Sequence, residues 1–113
     1  MEEGIPRKAL KVSGEYIESR RNIYDYTCDT FGEVQAVRYW QKIIDAVNTL
    51  PEYYTYYPPC RHIPTKSHKY RNIILGSHLI IYRITPARIE VLDIVHGAMN
   101  VSRIRTVRSI KLN

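Results

Sequence analysis

The stretch IEVLDIVHGAMN, residues 89 to 100, places a histidine at the end of an apolar run. An imidazole titrates near neutral pH, so His96 could give or take a proton in a reaction. Arg71, in an earlier apolar run, could hold a phosphate through its guanidinium fork. His96 and Arg71 are therefore the candidate catalytic residues if the chain cuts a phosphodiester. A histidine at the end of a buried strand also commonly caps the sheet through a backbone hydrogen bond, and this structural interpretation is favoured.

The segment 52 to 69, EYYTYYPPCRHIPTKSHK, is a long irregular connection, and connections of that length are often functional. Cys60, His62 and His68 have loose spacing and no fourth ligand, so we predict no metal site and no other cofactor. The tyrosines and cations of this segment are Tyr53, Tyr54, Tyr56, Tyr57, Arg61, Lys66 and Lys69. They could stack on bases and bind phosphates, but aromatic residues beside a small core more often pack over its edge.

Basic residues are concentrated in the second half of the chain. Residues 51–113 hold ten basic and three acidic side chains, whereas residues 1–50 hold seven and eight. The C-terminal stretch VSRIRTVRSIKLN adds Arg103, Arg105 and Arg108 between apolar residues, so one apolar face of a short helix or added strand is expected, with the cations outside. Such asymmetry favours a polyanionic partner, either nucleic acid or an acidic protein segment.

The hydrophobic period divides the 113 residues into helices followed by strands. A short strand at residues 9–12 precedes a helix that Ser13 caps and that runs to about Phe31. Its apolar residues recur at helical spacing and predict one buried face, formed by Tyr16, Ile17, Ile23, Tyr24, Cys28 and Phe31. Gly32 ends this helix, and a second helix runs from about Glu33 to Leu50, where Pro51 prevents its continuation. So short a link predicts an antiparallel helical hairpin.

Three runs rich in β-branched residues predict strands at Tyr70–Leu75, His78–Ile84 and Arg88–His96. Gly76-Ser77 and Thr85-Pro86-Ala87 fit the short reversals of an antiparallel meander. The predicted fold is α+β, with the order β-α-α-β-β-β and the helical hairpin on one face of a small, mainly antiparallel sheet. Arg71 and Arg83 are expected on its solvated face, where they could bind phosphate or a carboxylate. We expect one domain over residues 1–113, with residues 1–7 disordered and 101–113 a basic tail.

The order of these elements resembles the RelE/ParE superfamily of bacterial toxins from type II toxin-antitoxin modules. The resemblance covers about residues 9–100 and rests on TFGEVQAVRYWQKI (30–43), Leu50-Pro51, YRNIILGSHLIIYRI (70–84) and IEVLDIVHGAMN (89–100). It implies a small cytoplasmic toxin held inactive by a cognate antitoxin, in a hetero-oligomer. The basic tail, residues 103–113, is then a candidate surface for an acidic antitoxin segment.

The superfamily contains two activities. RelE-like members resemble ribonucleases that cut mRNA on the ribosome with converging basic residues. Here Leu79 occupies a position where that pattern expects an arginine, and Gly97 to Asn100 follow His96 without a charged group. ParE-like members inhibit DNA gyrase through protein contact and have a tail of the type His-x-x-Met-Asp, which His96 to Asn100 resembles, with Asn100 in place of the acidic residue. The ParE-like interpretation is favoured. An mRNA endonuclease and a degenerate toxin that only binds antitoxin remain alternatives.

The remaining sequence features agree with a cytoplasmic protein. The N-terminal MEEGIPRKALKV lacks the apolar run of a signal peptide, and no apolar stretch is long enough to cross a bilayer. Cys28 and Cys60 are interpreted as free thiols, since their separation fits neither a disulfide framework nor a zinc site.

Overall fold

The computed structural model describes residues 4–113 and has the predicted order of elements. These are β1 Ala9–Val12, α1 Gly14–Phe31, α2 Glu33–Asn48, α3 Leu50–Tyr53, β2 Tyr70–Leu75, β3 His78–Ile84, β4 Arg88–His96 and α4 Val101–Arg105, followed by a 3-10 turn, Thr106–Ser109. The sheet order is β1-β4-β3-β2, in which β1 is parallel to β4 and the other pairs are antiparallel. The predicted α+β fold, with a helical hairpin on a mainly antiparallel sheet, is confirmed.

Local sequence signals explain where the helices begin and end. The Ser13 hydroxyl accepts a hydrogen bond from the Tyr16 N–H (2.9 Å) and thereby satisfies one free donor of the first turn of α1. Gly32 separates α1 from α2 with φ 94°, a conformation that side chains with a Cβ rarely adopt. As predicted, the second helix does not continue through Pro51: α2 ends at Asn48, and Pro51 lies in the first turn of a separate short helix, α3, where its missing N–H costs nothing.

The helical hairpin packs on one face of the sheet, but the apolar face of α1 is less buried than predicted. Tyr16 of α1 and Ile43 of α2 are each 1% exposed and pack on Ile80 of the sheet. Ile17 and Phe31, which the helical spacing assigned to the buried face, are 39% and 65% exposed.

The second face of the sheet is also covered, by a layer that we call the outer layer, residues 58–69 and 97–113. The prediction that only the helical hairpin covers the sheet is therefore wrong. The second core cluster contains Cys60 and Ile63 from the connection, Ile104 and Val107 from the tail, and Tyr70, Ile81, Leu92 and Val95 from the sheet. The tail forms the predicted apolar face, as a helix and a 3-10 turn rather than a strand.

Residues 1–3, part of the segment predicted to be disordered, lie outside the described residues. Pro6 contacts the folded domain, because the Tyr54 hydroxyl donates a hydrogen bond to its carbonyl (2.6 Å). Across residues 4–113, no helix combines the length and apolar character that a bilayer crossing requires. Both cysteines are free thiols, and burial raises the pKa of Cys60.

Candidate functional site

His96 lies in a tight turn that follows β4. Its Nδ1 accepts a hydrogen bond from the Ala98 N–H (3.0 Å), and its carbonyl accepts one from the Met99 N–H (2.9 Å). Gly97 approaches the neighbouring β2–β3 turn and donates its N–H to the Ser77 carbonyl (2.7 Å). His96 thus has the local backbone contact expected of a strand terminus, while its ring is exposed. Because Nδ1 is an acceptor, the neutral ring carries its proton on Nε2.

His78, which the sequence did not single out, lies beside His96. The two rings have centroids 5.6 Å apart and are nearly perpendicular. The Tyr39 hydroxyl donates its one proton to the Leu75 carbonyl (2.8 Å), so His78 Nδ1, 2.7 Å from the same hydroxyl, must be the donor in that contact. Neutral His78 therefore keeps a free lone pair on Nε2. Burial, and secondarily the charge of His96, lowers the pKa of His78 and favours this neutral form at pH 7.

Both histidines line a cleft at the end of the sheet, which we call the sheet cleft. It has a volume of about 680 Å³ and lies between the connection at residues 58–62 and the β2–β3 and β4 turns. The side chains that could act on a phosphate are Arg61, His62, His78 and His96. Leu79 forms part of the wall at the position where the ribonuclease pattern expects a guanidinium. The cleft therefore contains imidazoles and one arginine, but no cluster of converging cations.

Arg71 does not join this cleft. Its guanidinium donates to the Tyr57 carbonyl (2.7 Å), the Thr55 carbonyl (3.4 Å) and the His68 carbonyl (3.2 Å), all in the connection before β2. Arg71 and His96, proposed together as candidate catalytic residues, are thus not brought to one cleft. The expectation that Arg71 lies on the same, solvated face as Arg83 is also wrong: Arg71 pairs in register with Tyr82 of the hairpin-side core, and its guanidinium binds the connection at the edge of the sheet.

Arg83 was likewise expected to be solvated, and it is instead part of a buried cluster. It donates to Glu90 through Nε (2.8 Å) and Nη2 (2.7 Å), and to the Ile110 carbonyl (3.0 Å). Arg88 donates to the other Glu90 oxygen (2.9 Å) and to the Leu112 carbonyl (3.3 Å). Burial acts to raise the pKa of Glu90, but these hydrogen bonds outweigh it and the pKa is lowered. Arg83 therefore fastens the tail to the sheet.

The other predicted partner-binding cations are exposed, and all lie in the outer layer. They are Arg61, Lys66, Lys69, Arg103, Arg105 and Arg108. Lys111, in the same C-terminal stretch, is also exposed in the outer layer, although it was not predicted as a site residue.

The four tyrosines of the connection divide between core and surface. Tyr54 is buried, and the hydroxyls of Tyr57 and Thr49 share a hydrogen bond of 2.7 Å. Tyr53 and Tyr56 are 56% and 77% exposed. Packing over the edge of the core therefore accounts for two of the tyrosines, and two remain available to a partner.

A second cleft lies on the hairpin side and is called the helix cleft. Its volume is about 960 Å³, and it is bounded by α1, α2 and the β2–β3 turn. Ile23, Tyr26 and Phe31 line it, and Tyr26 and Phe31 are 66% and 65% exposed. The periodic pattern assigned Ile23 and Phe31 to the buried face; Ile23 does pack partly buried against the core, but Phe31 is exposed, so the pattern did not predict this surface.

Comparisons with known proteins agree with this arrangement of elements. The family model described as "ParE toxin of type II toxin-antitoxin system, parDE" matches residues 10–101. A solved structure from P. aeruginosa, described as its chromosomal ParDE TA system, has a TM-score of 0.66 at 20% identity, over 80% of this chain and 96% of that chain. No curated protein matches the chain. At that identity the structural likeness shows the fold alone, but the family match spans most of the chain. The chain therefore belongs to the ParE toxin family of type II toxin-antitoxin systems.

Proposed function

We propose that this toxin acts by protein contact on DNA gyrase or a related topoisomerase, in the cytoplasm, and that a cognate antitoxin neutralises it. The observation that carries the proposal is the composition of the sheet cleft. Cleavage of RNA by its 2′-hydroxyl needs a base, an acid and cations that stabilise the phosphorane. Arg71 is turned away to bind backbone carbonyls, and Leu79 replaces a second cation in the wall. Arg61 is the single arginine or lysine that lines the cleft among the described residues.

The antitoxin contact is supported by the family and by the apolar helix cleft. Tyr26 and Phe31 both line this cleft and expose large aromatic surfaces, and exposed apolar surface at a cleft commonly marks a protein contact. We place an apolar segment of the antitoxin in this cleft. Binding there would remove both rings from water and would cover the hairpin side of the β2–β3 turn.

A ribosome-dependent mRNA endonuclease is the second candidate, and one observation favours it. His78 and His96 lie side by side in the sheet cleft, one with a free Nε2 lone pair and the other with its proton on Nε2. Such a pair could remove the proton of a 2′-hydroxyl and protonate the leaving oxygen, with Arg61 beside the phosphate. In this mechanism the two imidazoles would supply the base and the acid, and Arg61 would stabilise the charge of the phosphorane.

Induced expression with two readouts separates the candidates. We expect plasmid DNA to lose negative supercoiling while the mapped 5′ ends of cellular mRNA stay unchanged. Codon-positioned mRNA cuts with unchanged supercoiling, lost in His96→Ala, would overturn the proposal in favour of the endonuclease. Absence of both effects, in a chain that still binds antitoxin, would identify a degenerate toxin.

A further inference from the structure

Charge is distributed very unevenly between the two layers that cover the sheet. The outer layer, residues 58–69 and 97–113, contains seven basic and no acidic residues. The helical hairpin, residues 14–48, contains four basic and six acidic residues. One face of the molecule is therefore strongly positive, and the opposite face is weakly negative.

The seven cations of the outer layer are exposed to solvent, and none forms an ion pair within the described residues. All are exposed, namely Arg61, Lys66, Lys69, Arg103, Arg105, Arg108 and Lys111. Within residues 4–113, the ion pairs are made by Arg7, Arg83 and Arg88 with Glu52 and Glu90, and none involves the outer layer. The positive charge of this layer is thus not neutralised by the fold.

The outer layer is a single structured surface rather than two loose segments. Ile63 of the connection and Ile104 of the tail share a buried cluster, and Arg105 Nε donates to the His62 carbonyl (3.3 Å). Arg83 and Arg88 hold the end of the tail against β3 and β4. The backbone positions that carry the cations are therefore fixed relative to one another, which reduces the backbone entropy lost when the layer binds a charged partner.

We propose that the outer layer binds the sugar-phosphate backbone of duplex DNA. The longest dimension of the whole molecule is 44 Å, so its contact with B-DNA extends over little more than one turn, about 34–36 Å. Phosphate contacts of this kind position a protein without reading sequence. The choice of DNA over RNA rests on the proposed function, because a toxin that contacts gyrase works beside the duplex that gyrase holds.

Binding of the full-length toxin to a labelled 20-base-pair duplex, measured by fluorescence anisotropy over a range of salt concentrations, tests the inference. The variant K66Q/R103Q/R108Q removes three outer-layer charges, and the matched variant R21Q/R38Q/K42Q removes three exposed charges from the hairpin. Each neutralised phosphate contributes about 0.9 to the slope of log K against log salt. We expect the outer-layer variant to lose about 2 to 3 units of slope, and the hairpin variant to lose almost none.

Equal losses in the two variants would overturn the inference, because general charge attraction would then explain the binding. Tighter, outer-layer-dependent binding to single-stranded RNA of the same length would overturn it as well. The inference would also be overturned if the outer-layer variant lost antitoxin binding while its DNA affinity stayed unchanged. Circular dichroism of each variant ensures that folded proteins are compared.

A gyrase supercoiling assay on the same proteins separates this inference from the proposed function. Outer-layer-dependent DNA binding by a toxin that leaves gyrase unaffected would contradict the proposed function and retain the inference. Gyrase inhibition with DNA affinity equal in wild type and both variants would contradict the inference alone.

Discussion

Glu90 organises the charged residues that join the tail to the sheet. Its side chain is 9% exposed and accepts hydrogen bonds from Arg83 and Arg88, whose side chains are 14% and 26% exposed. Each arginine also donates to carbonyls of the tail. A buried carboxylate of this kind is stabilising only while it is paired, and its loss leaves two partly buried cations without a counter-ion.

Glu90→Gln should lower the free energy of unfolding by about 2 to 3 kcal/mol, less than a fully buried pair because Arg88 is partly solvated. Urea denaturation measures this. Glu52→Gln is the control, since Glu52 pairs with Arg7 on the surface and should change stability by less than about 0.5 kcal/mol. Equal losses of unfolding free energy in Glu90→Gln and Glu52→Gln would contradict the stabilising role of Glu90.

The stabilisation by Glu90 should also depend on pH, because its pKa is lowered in the folded protein. The contribution of Glu90 to the free energy of unfolding is complete above the unfolded pKa of about 4.3 and is lost as the pH falls through the lower, folded pKa.

His78 should titrate below the ordinary histidine pKa of about 6.5. Burial is the main cause, and His96 is the second, so His96→Ala should raise the pKa of His78 without restoring it fully. Since the unfolded chain takes up this proton first, stability should fall as the pH drops below about 6.5 and through the folded value. Proton and ¹⁵N spectra measure the titration and locate the neutral-form proton, which we expect on Nδ1. A proton on Nε2 would contradict the hydrogen-bond assignment.

The residue types showed which side chains are charged or titratable, but not which residues these side chains contact. Arg71 and Arg83 were recognised as cations in strands, yet their hydrogen bonds reach residues 14 to 27 positions away. Such contacts depend on how the connection and tail fold over the sheet, which no local pattern specifies. His78 carried no signal in the sequence, because its role depends on Tyr39 and His96 from other elements.

At the scale of elements, the tail is part of the fold. Ile104 is fully buried and Val107 is 4% exposed, and both pack against the sheet. Deletion of residues 103–113 would expose that face of the sheet. A loss of antitoxin affinity in the deletion variant would therefore not identify the tail as the antitoxin surface.

Ile104→Ala should lower the free energy of unfolding by about 2 to 4 kcal/mol, through lost burial and a cavity that cannot fully collapse. Val101→Ala is the matched control, because Val101 begins the same helix and is 41% exposed. We expect a change of less than about 0.5 kcal/mol there. Chemical denaturation of both variants measures the difference. If Ile104→Ala left the free energy of unfolding unchanged, the tail would not be packed against the sheet in solution.

The helix cleft leads to a separate prediction about the antitoxin. Tyr26→Ser combined with Phe31→Ser should weaken antitoxin binding at least tenfold in calorimetry, because two aromatic rings would no longer be buried on binding. Tyr53→Ser with Tyr56→Ser removes similarly exposed aromatics from the connection and should leave the affinity within about twofold. The reverse ranking of the two double variants would move the antitoxin to the connection.

At the scale of the whole molecule, the sequence predicted the elements and their order because the signals are local. Ser13, Gly32 and the two strand reversals each act within a few residues. The three-layer arrangement could not be predicted in the same way. The tail pattern allowed a helix or a strand, and its choice depends on a sheet face formed by residues as distant as Tyr70 and Val95.

The layered arrangement also explains why family membership does not by itself identify the target. The sheet cleft, the helix cleft and the outer layer are adjoining surfaces of one small molecule: both clefts are lined by His78 and His96, and Arg61 of the outer layer also lines the sheet cleft. A side chain at one of these surfaces can still differ in chemistry while the fold is kept, as Leu79 in the sheet cleft illustrates. Function has to be tested at each surface separately.

The most direct test of the central claim is a supercoiling assay with purified gyrase, ATP, relaxed plasmid and the toxin. We predict dose-dependent loss of supercoiled product, reversed by the antitoxin and retained in His96→Ala, because the proposed contact involves no proton transfer by that ring. Full supercoiling at toxin concentrations well above that of gyrase, with the same preparation cutting ribosome-bound mRNA, would contradict it.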